Sequence, residues 1–387
     1  MTKAVTDTTG EKATNRPRQR PRDRKNRILA AAAQRFWTLG YHQVSMADIA
    51  ADVDITASAL YRHFRGKQDL LLAVLDEQLR AIEEVDPARA DDFAAEFIDV
   101  CLRQREFGVL WERESGHLPD DERDRLRHRI RVLAERAGAD IEDRSTADVR
   151  SWAILSVLES QSYYHGPLDL AHVKDVLTRA VSAISTTPLP PDERVLVERA
   201  DGIRPASRRE HLLAVAVKLF AERGYPSVGL DDIGAAAGIA GPSVYNHFTT
   251  KVDVLSAALN RGNETLWLGL HQVLSAASTP AEALDGLARH YTEFTVANSD
   301  IVTILIAQTI NLPEDRMSVF RRAQRDYLTE WVTLLRGARP EVSEDDAAVL
   351  VRAAITLINS LARIPHLRTK PGHVGNTTRL AQAVLRA

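Results

Sequence analysis

A single cysteine, Cys101, stands in the 387 residues, so no disulfide can close within the chain. That predicts a reducing, cytoplasmic setting. A lone thiol with no evident partner reads as a small buried apolar residue. Alternating β-branched runs are scarce, which argues against sheet. Long hydrophobic runs are missing as well. The most apolar stretches, 301–310 and 347–364, are short or broken by Gln308 and Arg352, and they read as buried helices, not membrane spans. The N-terminus is polar and Arg-rich with no apolar stretch behind it, so no secretory signal is expected. A Gly-rich phosphate loop, a nucleophile elbow and a metal-spaced His/Cys set are absent. The nearest approach, Gly234 to Gly238, falls inside an expected helix and has no strand before it. These absences predict a protein that is not an enzyme and takes no cofactor or metal.

What the chain does have is a duplication. Residues 24–75 and 208–259 align without a gap at an offset of 184, with 20 of 52 positions identical. A repeat of this length is a duplicated domain, not a solenoid unit. The composition, 44% hydrophobic and 27% charged, is that of an ordinary globular protein, and Ala, Leu, Arg and Glu dominate it. An all-α fold follows, in two tandem units at 24–185 and 206–387. The Pro-rich segment 186–205 joins them as a linker. Net charge is −3, so the chain as a whole does not attract a polyanion. The distribution matters more. Eight Lys/Arg fall between residues 11 and 27 against Glu11 and Asp23, so residues 1–23 read as a basic arm suited to following phosphates.

Each unit begins with the same local pattern. In the first, Ile28, Leu29, Ala32, Phe36 and Leu39 recur at helical spacing, and Gly40 ends the helix. Ser45 and Asp48 form a capping-box-like start to a short helix through Val53, and Gly229 takes the place of Ser45 in the second copy. After breaks at 54–56 and 238–240 comes a second short helix carrying Tyr61, His63 and Phe64, or Tyr245, His247 and Phe248. A third helix begins near Lys67 and Lys251. Two short helices joined by a tight turn and flanked by a third form a helix-turn-helix unit, whose second helix fits the major groove. Ile49 and Val53, with Ile233 and Ala237, are expected to pack inward. The exposed face of the second helix offers Thr56, Ser58, Tyr61, Arg62 and His63, then Arg65 and Lys67. Hydroxyls and a guanidinium suit base edges; a phenol, an imidazole and an ammonium suit phosphates.

The pattern Phe36, Gly40-Tyr41, Ser45, Asp48 to Ala50, Leu60-Tyr61, His63-Phe64, Lys67 and Leu70 resembles the DNA-binding head of TetR-family repressors. The second copy matches at Phe220, Gly224-Tyr225, Asp232-Ile233, Val244-Tyr245, His247-Phe248 and Lys251. The resemblance covers about 50 residues per unit and is similar to that of tandem TetR repressors of actinobacteria, some of which control lipid operons. It implies that each head (24–75 and 208–259) is followed by a helical ligand and dimerisation domain. It implies phosphate contacts for Tyr61, His63, Lys67, Tyr245, His247 and Lys251. It places Ser45 at the interface, and it places Thr56, Ala57, Ser58 and Arg62 near bases, with Ala240, Gly241, Ser243 and Asn246 in the second head. Asn246 for Arg62 and Thr249 for Arg65 make the heads unequal readers.

The functional expectation is a ligand-responsive regulator, a repressor by the family's commoner habit, bound to double-stranded operator DNA as a covalent pseudo-dimer on an asymmetric operator. Half-sites would lie about 34 Å or a multiple apart. A second reading stays open, in which Tyr245 and Phe248 only pack the head and the chain is a helical sensor whose second head no longer binds DNA. Candidate pocket residues are the aromatics Phe107, Trp111, Trp152, Tyr163 and Tyr164 in unit one and Trp267, Tyr291, Phe294 and Trp331 in unit two. Extending the alignment sets Glu112, Arg113 and Glu114 opposite Ile306, Ala307 and Gln308. That contrast suggests a charged pocket in unit one and an apolar one, for an apolar or acyl-type effector, in unit two. Helices at 151–165 and 347–364 are the candidates for unit pairing, within one chain or between two self-associating chains. No membrane partner is expected.

Overall fold

The computed structural model describes residues 21–85, 92–164, 169–190 and 205–387. Of the arm expected at 1–23, residues 1–20 lie outside the described residues, as does most of the linker (191–204), while 21–23 belong to the first helix instead of the arm. Unit one consists of α1 (Pro21–Leu39), α2 (Met46–Asp52), α3 (Ala57–Tyr61), α4 (Lys67–Glu83), α5 (Phe93–Arg103), α6 (Glu106–Glu114), α7 (Asp120–Ala137), α8 (Ala147–Glu159) and α9 (Leu170–Thr186). Unit two consists of α10 (Arg208–Arg223), α11 (Leu230–Ala237), α12 (Gly241–Tyr245), α13 (Lys251–Ala276), α14 (Pro280–Ala297), α15 (Ser299–Ala307), α16 (Glu314–Ala338), α17 (Glu344–Arg363), α18 (Pro365–Arg368) and α19 (His373–Leu385). No strand occurs among the described residues, and none of their helices is long and apolar enough to cross a membrane. Cys101 is buried in α5, and burial pushes its thiol up to about 12.

The first three helices of each unit form a head, and the rest form a body. The units meet through their bodies, where α8 packs along α17 and α9 packs along α19. The α8–α17 contact joins the two segments expected to pair, whereas the α9–α19 contact was not foreseen. The sequence of α8 explains its place. Every residue from Val149 to Leu158 except Trp152 is buried, and all but Arg150 and Trp152 are aliphatic or small, so this part of the helix offers little solvent face. Opposite it, α17 buries Leu350, Ala353, Ala354, Leu357, Ile358 and Leu361 completely. Polar groups fix the register. Arg352 Nε donates to Gln161 Oε1 at 3.2 Å and its guanidinium lies 4.6 Å from the Tyr164 ring centre. Ser360 Oγ donates to Glu159 Oε1 at 3.3 Å, and Arg179 donates to Asp346 at 3.0 Å.

The two heads are built into the molecule differently. The apolar core of head one is continuous with both bodies. Head two has its own cluster, closed by Ile304, Leu312 and Phe320 of the adjoining body. Leu39 departs from the expected inward pattern. It ends α1 at 40% exposure and lines a cleft of about 380 Å3 between the head–body junctions of the two units. Gly40 explains the close approach there. Its φ of +83° suits glycine, and a Cβ at this position would lie 2.9 Å from Ile310 Cδ1 of unit two.

Candidate nucleic-acid interface

In head one the local chemistry assembles the reading surface residue by residue. Ser45 Oγ accepts from the Asp48 amide at 3.2 Å, and Asp48 Oδ2 accepts from the Ser45 amide at 2.9 Å, so the capping box is complete. Arg35 clamps α1 to α2 through a bidentate pair with Asp52, one arm at 2.7 Å. The chain then turns at Asp54, whose φ of +56° is left-handed. In head two Gly238 occupies the same place at φ +66°, where the conformation costs nothing. Thr56 Oγ1 accepts from the Ala59 amide at 3.2 Å and starts α3. Ala240 has no such cap, and a proline in the first turn of α12 compensates by pre-setting φ.

Both recognition helices are shorter than expected. They end at Tyr61 and Tyr245, with Arg62 and Asn246 as C-caps, so His63 and His247 follow the helix instead of riding on it. Leu60 and Phe64, with Val244 and Phe248, are buried and pin each segment to its head. That anchoring forces the intervening residues outward. Tyr61 is 55% exposed and Tyr245 is 53% exposed. Arg62, His63 and Asn246 are exposed and His247 is half-exposed. The backbones at the unlike pair agree closely, with φ/ψ of −74°/−23° at Arg62 and −70°/−18° at Asn246. The heads thus present different side chains on the same scaffold. Ser58 and Ala240 are exposed, Ala57 and Ser243 are half-buried, and Gly241 opens α12.

Tyr245 does not pack its head; only Phe248 does. Lys67 and Lys251 are also placed differently from expectation. Lys67 Nζ donates to the Tyr41 and Val44 carbonyls at 2.7 and 3.0 Å, and lies 4.3 Å from the Tyr41 ring centre. Lys251 repeats this on Tyr225 O at 2.8 Å and Pro226 O at 3.4 Å. Two of each ammonium's three N–H donors therefore brace the loop, which leaves one for a phosphate. Burial holds both lysines below the usual value.

The fastening of heads to bodies escaped the sequence reading, which named Arg113 and Gln308 but not this role and did not name His117. Arg113 donates to the Trp37 carbonyl at 2.9 Å and to the Phe36 carbonyl, gripping the exposed end of α1. The His117 ring stacks on Tyr41 with centres 4.5 Å apart, and burial with His42 nearby drives the imidazole down to about 4. In unit two, Gln308 Oε1 accepts from the Tyr225 amide at 3.2 Å. The contrast of Glu112–Glu114 with Ile306–Gln308 had marked these positions, but as pocket walls. Glu112, Arg113, Glu114, Ala307 and Gln308 do line a cleft, but it is one cleft shared by both units. Arg113 and Gln308 also couple heads to bodies, and Glu112 pairs across the units with Arg363.

Of the candidate pocket aromatics, Trp152 lines an open groove between the units. Phe107 and Phe294 are core residues, Trp111 is half-buried against the core, Tyr163 is partly exposed and Tyr164 lies under Arg352. Trp267, Tyr291, Tyr327 and Trp331 form one aromatic cluster inside the second body, with ring centres 5.6 to 6.5 Å apart.

Comparison with known proteins agrees with this architecture. The family described as bacterial regulatory proteins, tetR family, matches residues 28–74 and again 212–258. A tetracyclin repressor-like C-terminal domain matches 277–363. The HTH-type transcriptional repressor KstR2 of Mycolicibacterium smegmatis is 38% identical over 84 residues, 22% of this chain and 41% of that relative. The HTH-type transcriptional activator FasR of the same organism is 32% identical over 87 residues, 22% of this chain and 40% of that protein. The chain thus spans about two fifths of the length of these two relatives. Among solved structures, a TetR-family transcriptional regulator from Bordetella parapertussis aligns with 20% identity and a TM-score of 0.43, over 46% of this chain and 95% of that one. With both heads matched and the helix-turn-helix geometry present twice, the chain belongs to the TetR family, as a tandem of two TetR units.

Proposed function

We propose that the chain is a DNA-binding transcriptional regulator in which the two units act as a covalent pseudo-dimer on an operator with unlike half-sites. The observation that carries this reading is the pair of outward-facing segments, Tyr61-Arg62-His63 and Tyr245-Asn246-His247, on equivalent backbones in two heads of one chain. Both tyrosines stand in solvent, where a purely structural tyrosine would be covered. Exposed side chains in the second head favour retained DNA binding over a sensor with a dead head. Tethering supplies the second head at high effective concentration without requiring that it match the first. The control exerted is repression, as a protein seated across a promoter excludes other proteins from it.

The test is selection of bound DNA from a random pool, followed by salt titration. Two unlike half-sites at fixed spacing are expected, with affinity falling steeply as salt rises. Tyr61→Ala and Tyr245→Ala are each expected to weaken binding about tenfold. A palindromic footprint occupied by head one of two chains would overturn the reading. A promoter–reporter assay in the presence and absence of the protein gives the sign of control.

Release from DNA is assigned to an effector of apolar or acyl type in the second body. The aromatic cluster there supports it. The Tyr327 hydroxyl and the Trp331 indole N–H are buried and have no polar partner beyond each other among the described residues. Thermal-shift screening that found stabilisation by polar ligands alone would remove this assignment.

A further inference from the structure

We infer that the groove between α7, α8 and α18 binds a planar aromatic anion. The groove encloses about 490 Å3, within the range of small-molecule sites. It lies outside both heads and outside the aromatic cluster of the second body. Unit one supplies two walls, the C-terminal half of α7 and the first turns of α8, and unit two supplies His366 on α18.

Three features give the groove its chemistry. Trp152 is half-buried in it, and its ring tilts against the His366 imidazole at 59° with centres 6.4 Å apart. An indole lining an open groove offers a stacking surface at little entropic cost. Arg131 and Arg144 line the same space, are exposed, and make no hydrogen bond or ion pair among the described residues. The acids opposite them are fewer in effect. Asp148 is already held by unit two, with Lys370 Nζ at 3.0 Å and His366 Nε2 at 3.3 Å. Glu135 is the one wall carboxylate left to oppose two guanidiniums. An arginine fork matches a carboxylate or a phosphate, and a tryptophan face matches a flat ring, so a ligand carrying both satisfies the groove.

The site straddles the units. A ligand seated on Trp152 touches α8 on one side and α18 on the other, and α8 is the helix that packs along α17. Its occupancy therefore biases unit–unit packing to the extent that it prefers one arrangement over another. This consequence rests on the pseudo-dimer reading; the binding itself does not.

The experiment uses the full chain without DNA. Isothermal titration with 2-naphthoate tests the aromatic carboxylate, AMP tests the aromatic phosphate, and 2-naphthylmethanol and inorganic phosphate serve as half-ligands. One of the two complete probes is expected to bind at least about tenfold more tightly than either half-ligand. Trp152→Ala and the exposed double variant Arg131→Gln/Arg144→Gln are each expected to weaken it about tenfold or more. The double variant lies on the surface and keeps the test valid if Trp152→Ala fails to fold. Absence of binding by both probes at millimolar concentration overturns the site, as does equal binding of the neutral alcohol or indifference to the arginine changes. Operator titration with and without the bound probe then reads the coupling separately. Probe binding with no change in operator affinity would leave the site standing and remove only the coupling.

Discussion

Arg363 ends α17 of unit two and reaches Glu112 on α6 of unit one, and the two side chains are only 13% and 22% exposed. Glu159 of α8 also faces this guanidinium, as does Tyr163. One cation thus serves two carboxylates at the seam between the units. Burial, with Glu112 beside it, pushes Glu159 up to about 8, so at neutral pH it is mostly protonated and Glu112 carries the charge that Arg363 balances. Replacing Arg363 with Met keeps the length and removes the cation. Breaking a well-buried pair from one side costs about 3–5 kcal/mol, and the residual exposure here places the loss near the lower end, about 3 kcal/mol. The exposed cross-unit pair Arg179–Asp346, with side chains 49% and 19% exposed, is the internal control and should cost about 0–1 kcal/mol. Urea denaturation of Arg363→Met, Glu112→Gln, the double variant and Arg179→Met gives the coupling. Glu112→Gln in the Met background should recover much of the loss, for a coupling of about 2 kcal/mol. A coupling below about 1 kcal/mol, or a loss on Arg363→Met no larger than that on Arg179→Met, would refute the view that this pair is a buried lock between the units.

Further outcomes are expected from single changes. The folded value of Glu159 is raised from 4.5, so the stability it contributes is whole below that value and drains away as pH climbs to about 8. Glu159→Gln should flatten thermal stability against pH across this window and exceed the wild type at its upper end, as read by calorimetry. Gly238→Ala meets no neighbour within 4 Å but must hold φ +66°, so it should cost about 1 kcal/mol of head-two stability. Asp54→Gly, at the equivalent left-handed position, should stabilise head one by about 0.5 kcal/mol, seen in the same melts. Gly40→Ala combines a strained backbone with a clash on Ile310, and should lower head-one protection in hydrogen exchange while leaving head two unchanged.

The repeat made the heads legible because their core positions, caps and turn glycines follow local rules. Phe36 stood on the apolar stripe and Ile49 and Val53 were expected to pack inward, and all three are buried. The pairing of α8 with α17 was expected from the resemblance, whose dimer-forming helices fall at 151–165 and 347–364. The lengths of α3 and α12 were not, because Tyr61 to Phe64 looks helical until Phe64 is pulled inward to anchor the segment. Lys67 and Lys251 were read from their chemistry as phosphate ligands, but carbonyls from a loop 26 residues earlier claim them first, and no local pattern announces that. Glu112 to Glu114 posed the same problem. A charged stretch on a helix shows its partners only when Arg363, 251 residues away, arrives beside it.

In a true twofold assembly every contact across the axis is written twice, so an uneven one is forbidden. Two units on one polypeptide escape that rule. The Arg363–Glu112 contact exists once, because the position matching Glu112 is Ile306. Each half can therefore drift toward its own task, one substitution at a time, and a change on one side of the seam leaves the opposite side as it was.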